Sequence, residues 1–215
     1  SKDAEAIARL AKYQDVKLSL VPEPQILALR MMAREYYAIS DMLTEMKNRL
    51  CTDLYLLFPG YLNVFANTFG KTSLVLLREY PSPQNVLDAN RDELILMISK
   101  LSRKNLEWAA KKVNKLLEIS SLAQSMPNDF SVLSMKIQFH LDGIENLQAS
   151  LNGIEEKLHE MVCSTKFPAK IRKRIELLDQ MPGIGFMTAV TLMAEIGDFD
   201  MFTSPKAFTA FFGLD

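Results

Sequence analysis

Leu133-Ser-Met-Lys-Ile137-Gln-Phe-His140-Leu-Asp-Gly-Ile144-Glu-Asn-Leu147-Gln-Ala-Ser-Leu151-Asn-Gly-Ile154-Glu-Glu-Lys-Leu158-His-Glu-Met161 decides the fold. Its inward positions step by four and three residues over four heptads, a period of 3.5. A lone amphipathic helix drifts at 3.6, so a strict 3.5 implies a supercoiled partner. Tyr36, Ile39, Leu43, Met46 and Leu50 repeat the same 3-4 spacing and are the expected partner, from this chain or from a second copy. His140 takes a seam position, while the other histidine, His159, falls on a different face. A buried polar residue that sets register is therefore expected at His140, rather than a metal ligand.

Outward from the seams, nearly everything reads as helix. Asp3 to Leu18 is a short amphipathic helix, and Val21-Pro-Glu-Pro24 is a linker whose Pro24 suits a first helical turn. A long helix is expected from Gln25 to Phe58, stopped by Pro59-Gly60, with shorter helices at about Leu62–Glu79, Arg91–Leu101 and Lys104–Ala123. Tyr55-Leu-Leu-Phe58 and Leu74-Val-Leu-Leu77 are apolar runs within helical phases, so no strand is expected. With the insertion lying between the seams, the fold class is all-α: a long antiparallel coiled-coil stalk with helical insertion, followed by a helix-hairpin-helix-containing domain.

That last element rests on Ile175-Glu-Leu-Leu178-Asp-Gln-Met-Pro182-Gly183-Ile184-Gly185-Phe186-Met187-Thr188-Ala189-Val-Thr-Leu192. Two helix-period segments meet at a Pro-Gly-Ile-Gly turn. Pro182 cannot continue a ladder, and the glycines permit positive φ and close approach of a foreign backbone. The next helix then opens with unpaired N–H groups, a seat for phosphate. Phe186 and Met187 stand where a phosphate-gripping hairpin often carries Arg, Lys or Ser, which favours simple packing. Against that, five of the nine residues of Lys166-Phe-Pro-Ala-Lys170-Ile-Arg172-Lys173-Arg174 are basic and none is acidic. A basic run beside a glycine hairpin is well placed for phosphates. Lys170, Arg172, Lys173, Arg174, Gly183, Ile184, Gly185 and Thr188 are accordingly the candidate nucleic-acid-binding residues.

Composition bounds this reading. The formal net charge of −1 excludes a uniformly basic coat, so any nucleic-acid contact is local. Cys51 and Cys163 show neither CxxC pairing nor metal spacing, and reduced thiols in an intracellular protein are expected. No apolar run reaches the roughly 18 residues of a membrane span, so no membrane partner is expected. The chain opens without Met in what reads as mid-helix, and both ends look cut.

The hairpin block, extended through Ala194-Glu195-Ile-Gly197-Asp198 and Phe202-Thr-Ser204-Pro205 to Gly213-Leu-Asp215, resembles one family: insertion-sequence transposases with an N-terminal DEDD RuvC-like domain and a C-terminal serine domain, relatives of the pilin-gene invertases. Ser1-Lys2-Asp3-Ala4 looks like the last catalytic segment of such a RuvC-like domain, and the order of parts agrees. The resemblance implies a DNA transposase or site-specific recombinase of the bacterial or archaeal cytoplasm, nucleoid-associated. It also implies Mg2+ in the complete protein, DNA as partner and an RNA guide. Asp3 is then the final member of an acidic set otherwise upstream, serving as catalytic residue and metal ligand only in the complete protein. The nucleophilic serine is expected beyond Asp215. Ser204 reads instead as a helix start before Pro205. Glu195 reads as a helix-end charge, Gly197 as the residue past that helix end and Asp198 as a turn former, with Asp200 in no metal cluster.

The implied organisation is residues 1–20 as the tail of the RuvC-like domain, 21–165 as the stalk with inserted helices, and 166–215 as a truncated C-terminal transposase domain. The chain alone is expected not to cut or join DNA and to need no cofactor. It is expected to oligomerise through the stalk, most simply as a dimer. The alternative is a non-enzymatic coiled-coil assembly or nucleic-acid-binding module.

Overall fold

The computed structural model describes residues 3–5, 12, 23–125, 130–197, 202–211 and 213. Among these the chain is all-helical, without a strand. The helices are α1 (Pro24–Leu57), α2 (Lys71–Glu79), α3 (Pro83–Asp88), α4 (Arg91–Ser102), α5 (Leu106–Gln124), α6 (Phe130–Cys163), α7 (Ala169–Asp179), α8 (Phe186–Ile196) and α9 (Pro205–Phe211), with a 3₁₀ turn at Tyr61–Asn63. Two compact units emerge: residues 35–157, and residues 1–34 together with 158–215. Most of the amphipathic helix expected at Asp3–Leu18 lies outside the described residues.

In the 35–157 unit the two seams meet within one chain. Asp53 faces Lys136 and His140, while Met46, two turns earlier on α1, lies against His140 and Gly143. Residue numbers fall along α1 as they rise along α6, so the pair is antiparallel and in cis. Leu43, Leu50, Ile137, Ile144 and Leu151 are buried in the core they share with α2 to α5. His140 is the expected polar pin, and it has a partner that the pattern did not name. Its Nε2 lies 2.9 Å from Asp53 Oδ2 and its Nδ1 3.1 Å from Met46 Sδ, while Lys136 Nζ reaches Asp53 Oδ1 at 2.6 Å. Asp53 is 4% exposed, and a carboxylate so deep is tolerable only when paired on both oxygens.

The inserted helices start where the chain supplies caps. Ser82 Oγ accepts from the Asn85 N–H ahead of Pro83, Asn90 Oδ1 from Asp92 and Glu93, and Asn105 Oδ1 from Trp108. The expected helix over 62–79 is shorter. Gly60 turns at φ +91°, and Asn67 Oδ1 accepts the Phe69 N–H in an Asx turn, so α2 begins only at Lys71. Six further residues, Pro83–Asp88, between two expected helices, form α3. Tyr61 is fully buried, its hydroxyl paired with Ser73, and burial pushes that phenol well above its usual range.

Candidate nucleic-acid interface

The hairpin belongs to the unit of residues 1–34 and 158–215. Helices α7 and α8 pack together through Ile171, Ile175, Ala189, Val190 and Met193, all buried. Helical phase puts Ile175, Leu178, Ala189 and Leu192 on the inward side of the hairpin; Ile175 and Ala189 are buried, and Leu178 and Leu192 only half-buried. Helix α7 ends at Asp179, and Pro182 sits in the turn beyond it. Gly183 adopts φ +88°, where a Cβ is disfavoured, so the turn itself requires this glycine.

Gly185 differs. It has φ −91° and ψ 170°, a conformation open to any residue, and a Cβ there would meet nothing within 4 Å. Neither its backbone nor its neighbours within the chain demand glycine. It is the N-cap of α8, and no side chain caps that helix. The first helical acceptor, Gly185 O, is taken by Ala189 N–H at 2.9 Å, so the amides of Phe186, Met187 and Thr188 precede the ladder. Pro182, Gly183, Gly185 and Thr188 are exposed around them. The Ile184 amide is spent inside the turn, donating to Met181 O at 3.0 Å.

Phe186 is explained by a contact that sequence reading missed. Its ring stacks on His159 at 3.5 Å between centroids and 11° between planes, which fixes the start of α8 against the end of α6. An apolar residue right after the turn is thus a packing group, and it leaves the amide end open.

The basic segment divides by role. Lys170 and Lys173 are exposed and Arg174 half-buried. Arg172 is turned inward: Nε donates to Val162 O at 2.8 Å, and Nη2 donates to Phe167 O at 3.3 Å and to Ser164 O. These carbonyls end α6 and form the connection to α7, and a helix end without a glycine cap needs such donors. Arg172 was grouped with the phosphate contacts, but its first task is to hold that connection.

The far end of α8 is clamped in the same manner. Arg30 Nε donates to Ala194 O at 2.8 Å, and Arg34 grips both Glu195 oxygens at 2.8 and 3.0 Å. That hydrogen-bonded guanidinium holds the Glu195 carboxyl below its usual range. Glu195 is thus the expected helix-end charge, and Gly197 closes the helix at φ +76°. Ser204 Oγ accepts the Ala207 N–H at 3.2 Å with Pro205 first in α9, the expected helix start. Asp198 and Asp200 lie outside the described residues. Asp3 lies exposed in a helical stretch, and among the described residues no three His, Cys, Asp or Glu side chains could hold a metal together. Cys51 and Cys163 are free thiols, and among the described residues no helix is long and apolar enough to cross a membrane.

No curated protein and no solved structure matches the chain. A family model does: residues 175–215 match the transposase IS116/IS110/IS902 family. The match opens at Ile175, the buried residue of α7, and takes in the glycine turn and all of α8. In this segment the chain is similar to an insertion-sequence transposase, which supports a role in transposition.

Proposed function

We propose that the chain is part of a DNA transposase or site-specific recombinase that joins a RuvC-like acidic domain to a serine domain, and that residues 166–215 hold nucleic-acid backbone within it. The observation that carries the reading is a coincidence of position. The family similarity falls on the turn where α8 presents uncapped amides beside a glycine that nothing within the chain requires. Backbone amides at a helix start fix a phosphate without reading bases, and Lys170 and Lys173 add counterion release. DNA is the partner, and an RNA guide would be held through the same backbone chemistry. Asp3 is this chain's contribution to a Mg2+ site completed by other acids.

The expected dimer through the stalk would bring a second copy against the outer face of the helices that pair within the chain. Met135 and Phe139, more than half exposed on α6, offer such a face.

The reading is tested by titrating duplex DNA over a salt series against the chain and its Lys170→Gln/Lys173→Gln variant. Loss of two phosphate contacts should flatten the log–log salt slope by roughly 1.8. An unchanged affinity and slope would make the segment a solvated helix face.

A further inference from the structure

In the unit of residues 35–157, α1, α2 and α6 line an open cavity of about 540 Å³. That volume lies within the range of ligand pockets rather than packing defects. Lys47 and Lys71 line it from two helices, and neither is paired with a carboxylate among the described residues. Arg78 also faces it but is neutralised, bonded to Asp142 at 2.7 Å and Glu145 at 2.9 Å. Lys47 Nζ stands 5.4 Å from the centre of the Phe69 ring, which is anchored in the core and only partly buried. Opposite, on α6, are the side-chain amides of Gln148 and Asn152, joined to each other at 3.2 Å. Lys71 opens α2, whose N-cap Gly70 supplies no side chain, and the ladder begins only with Ser73 and Leu74 donating to Gly70 O. Two cations, an aromatic ring, an apolar wall and paired amides are thus gathered in one cavity.

We propose that this cavity takes one nucleotide unit: its phosphate against Lys47 and Lys71 at the start of α2, its base along Phe69 toward Gln148 and Asn152. The amides offer both donor and acceptor to a base edge, and an aromatic beside a basic groove is the recurring seat for an unpaired base. Gly70-Lys71-Thr72 matches the end of a phosphate-loop pattern, but Phe65 stands where its first glycine belongs and no strand precedes it among the described residues. A nucleoside-triphosphate loop is therefore not what is built. A duplex cannot place an unpaired base here, so the site deepens the nucleic-acid reading by specifying a single strand, separate from the duplex-gripping hairpin.

The test uses the whole chain with a 12-nucleotide single strand, the matching duplex and free AMP. Lys47→Gln/Lys71→Gln should lower single-strand affinity roughly tenfold and flatten its salt slope by about 0.7, for the one phosphate that both lysines hold, while leaving duplex affinity unchanged. Lys170→Gln/Lys173→Gln reports separately on the hairpin through the duplex arm, so either reading can fail alone. Amide resonances of Lys71 and Thr72 that shift with AMP identify a free nucleotide as the ligand. Shifts with the strand alone identify a strand. No shift with either ligand overturns the proposal, as does an equal or absent loss across strand and duplex in the Lys47/Lys71 variant.

Discussion

The two units differ in what their central polar contacts join. In residues 35–157 one buried contact runs between side chains of the two long helices: Asp53, Lys136 and His140 answer one another. In the other unit Arg30 and Arg172 spend their guanidinium groups on backbone carbonyls, at the end of α8 and in the connection before α7. Pairing between side chains sets the register of long elements that already exist. Bonds to the backbone fix places where elements stop, so the hairpin can keep its turn open and still be held. The glycines differ one by one. A Cβ on Gly143 would come within 2.9 Å of Met46 Cε, whereas one on Gly153 or Gly185 would meet nothing within 4 Å.

Breaking the pin should cost most. Asp53→Ala leaves a mostly buried histidine without its carboxylate and is expected to destabilise the protein by about 3 kcal/mol, read from the urea midpoint. Asp53→Leu with His140→Leu should recover much of that loss, because apolar replacement of a buried pair is often near neutral. If the double variant were as unstable as the single, the pair would be more than a register device.

Arg172→Ala comes next, at about 2 kcal/mol for charge-assisted bonds to carbonyls. Its effect should appear as faster amide exchange in residues 164–179, with residues 35–157 unchanged. An equal rise throughout would mean that Arg172 does not act locally.

Gly153→Ala should move stability the other way. Gly153 lies inside α6 with nothing within 4 Å of a Cβ, so alanine should stabilise by roughly 0.5–1 kcal/mol. Gly143→Ala should gain less, since the end of Met46 must move aside. A destabilising Gly153→Ala, measured by thermal unfolding, would show that its face is occupied.

The smallest expected effect is on pH dependence. The folded Glu195 carboxyl titrates below its ordinary 4.5, so its stabilisation is complete above that value and is lost as pH falls through the folded value. With side chains 67% and 38% exposed, the Arg34–Glu195 pair is largely screened by solvent and its contribution is small. Arg34→Ala should remove this part of the acid slope. A slope unchanged by that substitution would assign it to other carboxylates.

Much of this was legible in the residues. The 3-4 spacing predicted both long helices, and α1 begins and ends within a residue of its expected bounds. An apolar stripe does not say which chain fills it, so the cis pairing had to come from the contacts. Asp53 carried a usable signal: it lies three residues past Leu50, the next seam position, facing the seam histidine. Arg172 carried a weaker one, since the end of α6 lacks a glycine cap and its carbonyls need donors from nearby. The α2 boundary was hidden because Asn67 and Gly70 act through local bonds that an apolar period does not register. Phe186 looked like a defect in a phosphate hairpin until the His159 ring appeared beneath it.

The most direct test of the central claim is Gly185→Val in duplex binding across a salt series. The backbone at Gly185 is open to a β-branched residue and a Cβ there meets nothing within 4 Å, so the variant should fold, at the modest cost of a poorer N-cap. It should still bind at least about tenfold more weakly, through loss of a charge-assisted contact to the α8 amides. Unaltered affinity in a folded Gly185→Val protein would contradict the claim and leave the hairpin as a packing element.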